Sequence, residues 1–332
     1  MADRGILRHL GAALVLLGAP GLPCCLAQPS SGLGCASVVA ADRAYSIRLT
    51  AFVPQPSQAS GALLEARIDR GPPLHLLLDS GAAQITLDAR AAARSSVAPV
   101  AESHLVGVGE SPLRSARSGI AGAVDLGPLH LRNCRIEMAA GKLAGGIDGV
   151  IPLSLFGGFL IRLDLPGKTL DLTPYPDRAA TPTAGSARAV LNGDALFVRG
   201  TLDGTIEGHI LLDTGASYSA VSRRTAKVLK SSLVSAVGLR GANGAVTGEL
   251  VEAGVRFQVA GRSLMAEPVV ALDLVGFSAF NGVETIGILG YPALRASILT
   301  VNYRDGLVRI DAPPNGPHRR TLIADDKKAG AP

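Results

Sequence analysis

The chain has 332 residues, of which 47% are hydrophobic and 18% charged, with a net charge of +5. This length holds one large or two ordinary domains with buried cores, and the composition excludes a chain disordered throughout. Tryptophan is absent, aromatics are 4%, and no Lys/Arg cluster is interleaved with aromatics, so a nucleic-acid surface finds no support.

Residues 1–27 have the layout of an export signal. Arg4 and Arg8 precede a mostly apolar run, Leu10–Leu22, and Cys25-Leu26-Ala27 offers small residues for cleavage. A membrane anchor is the alternative, but the run is short and broken by Pro20 and Pro23. A lipoprotein start at Cys24, Cys25 or Cys35 lacks the usual Leu-small-small residues before the cysteine. An exported protein is expected, periplasmic or secreted, with no membrane span left after cleavage. Cleavage after Ala27 would leave Cys35 and Cys134, which an oxidising compartment allows to pair; the spacing leaves open whether they meet. Neither has metal-ligand spacing with a histidine or another cysteine, and no metal or cofactor is expected.

Residues 28–43 form an N-terminal segment. Beyond it, 40 glycines, 21 prolines and short Val/Leu/Ile runs predict strands and turns rather than long helices. A half-alternating strand at Ala62–Asp69 leads into the apolar strand of His75-Leu-Leu-Leu-Asp-Ser-Gly-Ala82. A short strand (Ala83–Leu87) and a helix (Ala89–Arg94, with Asp88 as N-cap) follow, then a glycine-bearing hairpin around Leu105–Gly109. The same order returns with Ala195–Asp203, His209-Ile-Leu-Leu-Asp-Thr-Gly-Ala216, Tyr218–Val221, a helix at Arg223–Leu229 behind Ser222, and a hairpin at Leu239–Gly244.

The recurrence is a repeat. An offset of 134 residues carries Ile68-Asp69 onto Leu202-Asp203, Asp79 onto Asp213, Asp88 onto Ser222 and Gly107 onto Gly241. Four residues later in register, Gly149-Val-Ile-Pro152 matches Gly287-Ile-Leu-Gly290, and Leu160–Leu165 matches Ile298–Tyr303. Correspondences that stay in order along the whole unit define two copies of one β-rich domain, 44–174 and 188–312. The Pro- and Thr-bearing stretch 175–187 has linker composition, and 313–332 reads as a flexible tail.

Each copy places an aspartate where a strand buried on both faces runs out. A carboxylate there is costly unless neighbours donate hydrogen bonds. The Ser80 or Thr214 hydroxyl and the following amides can donate, while Gly81 or Gly215 lets backbone approach closely. One Asp-Ser/Thr-Gly turn is a weak signal; two at equivalent points of a repeat are a strong one.

On these residues both halves resemble the retropepsin-like aspartic peptidases of bacteria. The second copy fits best, with Ile210-Leu-Leu-Asp-Thr-Gly-Ala-Ser217, Gly287-Ile-Leu-Gly-Tyr-Pro-Ala-Leu294 and the closing stretch Ile298–Ile310. The resemblance covers about residues 60–311. Pepsins share the two-lobed plan, although this chain is shorter and its flap candidates lack tyrosine. The resemblance implies an all-β fold of two β-barrel lobes, each with a short helix, related by a pseudo-twofold axis with a cleft between them. It further implies an Asp79/Asp213 dyad that activates water, supported by Ser80, Gly81, Thr214 and Gly215. Hairpins at Gly107/Gly109 and Gly241 would serve as flaps over an extended peptide. The expected partner is a peptide or unfolded protein segment, and the expected state is a monomer.

The first copy departs from the pattern at Pro152, where the second has Gly290. Proline lacks an N–H and fixes φ, so the turn beside Asp79 must differ locally. His75 and His209 lie on the same strand face as their aspartates, yet four strand residues span roughly 13 Å, too far for contact along the strand. Asp148 reads as a turn residue, and no Gly-x-Ser-x-Gly elbow supports a serine hydrolase. Two other functions stand beside the intramolecular peptidase: a peptide-binding module without turnover, and a homodimeric peptidase using Asp213 alone.

Overall fold

The computed structural model of the chain describes residues 34–38, 42–52, 61–105, 114–143, 146–192, 195–229, 232–241 and 244–314. The expected signal, the tail from 315 onward, and the hairpin tip with Gly107 and Gly109 lie outside the described residues. Among the described residues no helix is long and apolar enough to cross a membrane.

The described chain is built of strands with four short helices, as its glycine content and short apolar runs dictate. Strands pair into a nine-stranded and a fifteen-stranded sheet. The expected elements form nearly where their patterns put them: Gly61–Ile68, Pro73–Asp79, Ile85–Leu87 and helix Ala89–Arg94 in the first half. In the second half they are Ala195–Leu202, Ile206–Asp213, Ser219–Ser222 and helix Arg223–Val228. Both helices start on the expected caps. The Asp88 carboxylate accepts from the Ala91 amide at 2.7 Å, and the Ser222 hydroxyl accepts from the Thr225 amide at 2.9 Å.

Alternation sorts the two Asp strands into faces. Leu76 and Leu78 are fully buried in the main core, as are Ile210 and Leu212. Leu77 and Leu211 point the other way, onto the face shared with the aspartates. There they join smaller clusters, one around Leu63, Leu77 and Ile147, the other around Phe197, Leu211 and Ile288. Each aspartate therefore ends a strand that separates two apolar regions.

The halves join through their closing hairpins. Strand Phe159–Asp164 pairs antiparallel with Ile298–Asn302, matching Ile161 to Val301 and Leu163 to Leu299. Their hairpin partners, Thr169–Pro174 and Leu307–Asp311, extend this sheet on either side. Tyr45–Arg48 and Ser186–Asn192 add the next strand at each end. The two segments that match each other in sequence thus pair with each other in space. Strand Cys35–Val38 joins the nine-stranded sheet beside Leu129–Ala139, and Cys35 and Cys134 form a disulfide across that pair.

Candidate active site

The two Asp-Ser/Thr-Gly turns meet. Ser80 and Thr214 are fully buried and grip each other. The Ser80 amide donates to the Thr214 Oγ1 at 3.0 Å, and the Thr214 amide donates to the Ser80 Oγ at 3.0 Å. Each hydroxyl then donates across to the other half: Ser80 Oγ to the Leu212 carbonyl and Thr214 Oγ1 to the Leu78 carbonyl, both at 2.8 Å. Each hydroxyl thus accepts one bond and donates one across the halves, which pins the two turns together. Rather than serving their neighbouring carboxylates, as the sequence suggests, the hydroxyls reach for the opposite backbone.

The carboxylates are held by amides. Asp79 Oδ1 accepts from the Gly81 N–H at 2.7 Å, and Asp213 Oδ1 accepts from the Gly215 and Ala216 N–H groups at 2.9 Å. A side chain after either Ser or Thr would crowd the opposite carboxyl, at Gly215 most of all. A Cβ on Gly215 would lie 2.4 Å from the Asp79 Cγ, and one on Gly81 would lie 3.0 Å from the Asp213 Cγ. The Asp213 carboxyl lies against Gly81 and the Asp79 carboxyl against Gly215, so the two side chains converge on the junction between the turns. Each keeps some exposed surface but is set deep among protein atoms. Burial raises the Asp79 carboxyl above the usual carboxylate range. Burial, and then the charge of Asp79, raise the Asp213 carboxyl further. Because the charge of Asp79 raises Asp213, the two carboxyls do not titrate independently.

Beside each aspartate runs a parallel strand, Gly149–Pro152 with Pro152 opposite Asp79, and Thr285–Gly290 with Gly290 opposite Asp213. In the second half the buried Gly290 N–H donates to the Ser219 Oγ at 3.0 Å. Gly290 has no room for a side chain, since a Cβ would sit 2.5 Å from the Tyr218 carbonyl oxygen. In the first half the same two positions hold Ile85 and Pro152. The hydroxyl acceptor and the N–H donor have been lost together, so no buried donor is left unpaired. Sequence reasoning singled out Pro152 and missed Ser219, although the simultaneous change at positions 85/219 and 152/290 was the available signal.

The remaining candidates lie elsewhere. The His75 side chain is exposed and faces Asp148 at 3.9 Å, while its amide donates to the Asp148 carboxylate at 2.9 Å. Asp148 also pairs with Arg94, so it anchors a turn rather than adding a third acid. His209 is half-buried with Arg199 opposite it in the ladder. Gly241 closes the hairpin of Leu233–Gly241 and Gly244–Val251, paired with Gly244. Among the described residues no group of His, Cys, Asp and Glu could hold a metal ion.

An all-β fold of two similar halves whose Asp-Ser/Thr-Gly turns interlock defines the architecture of the two-lobed aspartic proteinases. Comparison with known proteins agrees: residues 198–293 match the family model described as aspartyl protease. That span contains Asp213, Ser219 and Gly290 but not Asp79. The fold is similar to the crystal structure of aspartic proteinase from Irpex lacteus, with a TM-score of 0.53 and 12% identity over 82% of this chain and 98% of that one. No curated protein matches the sequence significantly.

Proposed function

We propose that the protein is an aspartic endopeptidase in which Asp79 and Asp213 form one catalytic dyad within a single chain. The observation that carries this reading is the mutual approach of the two turns, each glycine lying against the other half's carboxyl group. With one proton shared, the ionised carboxylate takes a proton from water while the water oxygen attacks the scissile carbonyl carbon. The protonated partner gives its proton to the carbonyl oxygen, which becomes the second hydroxyl of a tetrahedral diol. Collapse of the diol breaks the C–N bond as the amine takes up a proton, and the dyad returns to its singly protonated form. The nucleophile is water, so no covalent intermediate with the chain forms. The apolar clusters on the carboxylate face, around Leu77 and Leu211, would flank an extended peptide bound between the lobes. The hairpins ending near Leu105 and at Gly241 would cover it.

The test is cleavage of a peptide library by the mature protein from acidic to neutral pH. Asp79→Asn and Asp213→Asn should each lower kcat/KM by about 10²–10⁴-fold or more, because each removes one side of the proton relay. Full retention of cleavage in Asp79→Asn alone would point to homodimeric use of Asp213. Peptide binding without turnover in the parent protein would point to a binding module.

A further inference from the structure

The segment joining the halves is the most exposed irregular stretch between them, with every residue from Pro176 to Gly185 open to solvent. Exposed, irregular backbone of this kind is where peptidases cut. Its backbone is nevertheless engaged, by a turn of the second half. The Arg304 guanidinium donates to the Pro176 carbonyl at 2.7 Å and to the Arg178 carbonyl at 3.0 Å. It also lies over the Tyr175 ring, 4.5 Å from the centroid. The Tyr175 hydroxyl donates to the Gly157 carbonyl of the first half at 3.2 Å. Asp305 accepts from the Ala180 amide at 2.8 Å and is itself held by Arg304 and by the Asn302 side chain. Arg304 beside it keeps the Asp305 carboxyl well below the usual carboxylate range.

The engaged groups are the carbonyls of residues 176 and 178 and the amide of residue 180. A peptidase binds its substrate as an extended strand and needs backbone groups of this kind free. Side chains of the segment, Arg178 among them, remain available for recognition, whereas these three alternate main-chain groups do not. We propose that Arg304 and Asp305 form a latch that withholds the inter-lobe segment from proteolytic cleavage, making residues 176–180 a latent processing site. Extending this protection to the chain's own dyad rests on the peptidase reading above; the latch itself does not.

Trypsin tests the latch, because Arg178 is its target and Lys168, in an exposed hairpin turn, is an internal reference. The mature chain carrying Asp79→Asn, which removes self-digestion, is compared with the same chain carrying Arg304→Ala or Arg304→Lys, and cut sites are followed by intact mass. Arg304→Ala should raise the rate of cutting after Arg178 by about tenfold or more relative to Lys168, because local opening no longer has to break the latch. Arg304→Lys should fall between, since a compact ammonium keeps the charge but lacks the planar spread of donors that reaches both carbonyls and the carboxylate; it also covers the case in which the alanine variant fails to fold. An unchanged rate after Arg178, or an equal rise at both sites, would overturn the latch. Restoring Asp79 in the Arg304→Ala chain tests the extension at acidic pH. Self-cleavage within 176–180 supports it, and an intact segment in a protein that cleaves added peptides overturns it. Absence of all peptide cleavage counts against the peptidase reading and leaves the trypsin result standing.

Discussion

At the scale of single residues, the aspartates depend on what surrounds them more than on their own strands. Both carboxyls are raised above the ordinary aspartate value, Asp213 more than Asp79, with burial the leading cause. The folded chain therefore holds more protons than the unfolded chain at pH values above about 3.9, up to the raised folded values. The penalty for ionising the buried pair is absent below that window, and stability falls as pH rises through it. Asp213→Asn removes the second ionisation. The melting temperature of the Asn variant should therefore gain on the parent with rising pH, by on the order of a few degrees. Parallel pH profiles of Tm for the two proteins would contradict the buried-pair account. On the proposed dyad mechanism, peptide cleavage should fall on both sides of the singly protonated state, and a kcat/KM profile measured against pH should be bell-shaped.

At the scale of elements, the turn beside each aspartate is solved in two ways. The second half joins a buried hydroxyl to a buried amide, Ser219 to Gly290. The first half replaces both with Ile85 and Pro152, a swap that can be nearly neutral because no orphan group remains. Ser219→Ala should therefore cost about 1–3 kcal/mol in urea unfolding, the penalty for stranding the Gly290 N–H. Pro152→Gly should cost about 0.4–1 kcal/mol through the entropy of the unfolded chain. It should not raise turnover; a large gain in cleavage would show that Pro152 impairs the first half. Strands, helices and both N-caps were legible in sequence because each depends on local pattern, as Asp88 and Ser222 illustrate. The compensated pair was harder to read because its members are 67 residues apart in one copy and 71 in the other, on strands whose pairing is set by the fold.

At the scale of the whole molecule, long-range links tie together segments far apart in sequence. The Cys35–Cys134 disulfide closes a loop across 99 residues and fixes a four-residue edge strand. Removing a crosslink of that span should cost about 2–4 kcal/mol. A Cys35→Ser, Cys134→Ser double variant should melt lower than the oxidised parent and match the parent in reductant. Equal melting of the oxidised parent and the double variant would show that the crosslink adds no stability. The cross-half strand pairing of Phe159–Asp164 with Ile298–Asn302 should keep the two turns together in that variant, so loss of the disulfide should lower stability before it lowers cleavage.

The sequence by itself determined the matching order of local patterns in the two halves, the caps and the two Asp-Ser/Thr-Gly turns. Periodicity, turn chemistry and the 134-residue offset are properties of neighbouring residues and of self-comparison. Only the tertiary structure decided that Ser80 and Thr214 bind across the halves rather than to their own aspartates, and that the closing strands pair with each other. It also decided that Cys35 meets Cys134 and that Arg304 closes over the linking segment. A hydroxyl, a thiol or a guanidinium carries no local sign of its partner. Which group it reaches is set by how two folded halves come together, and that is a property of the packed chain.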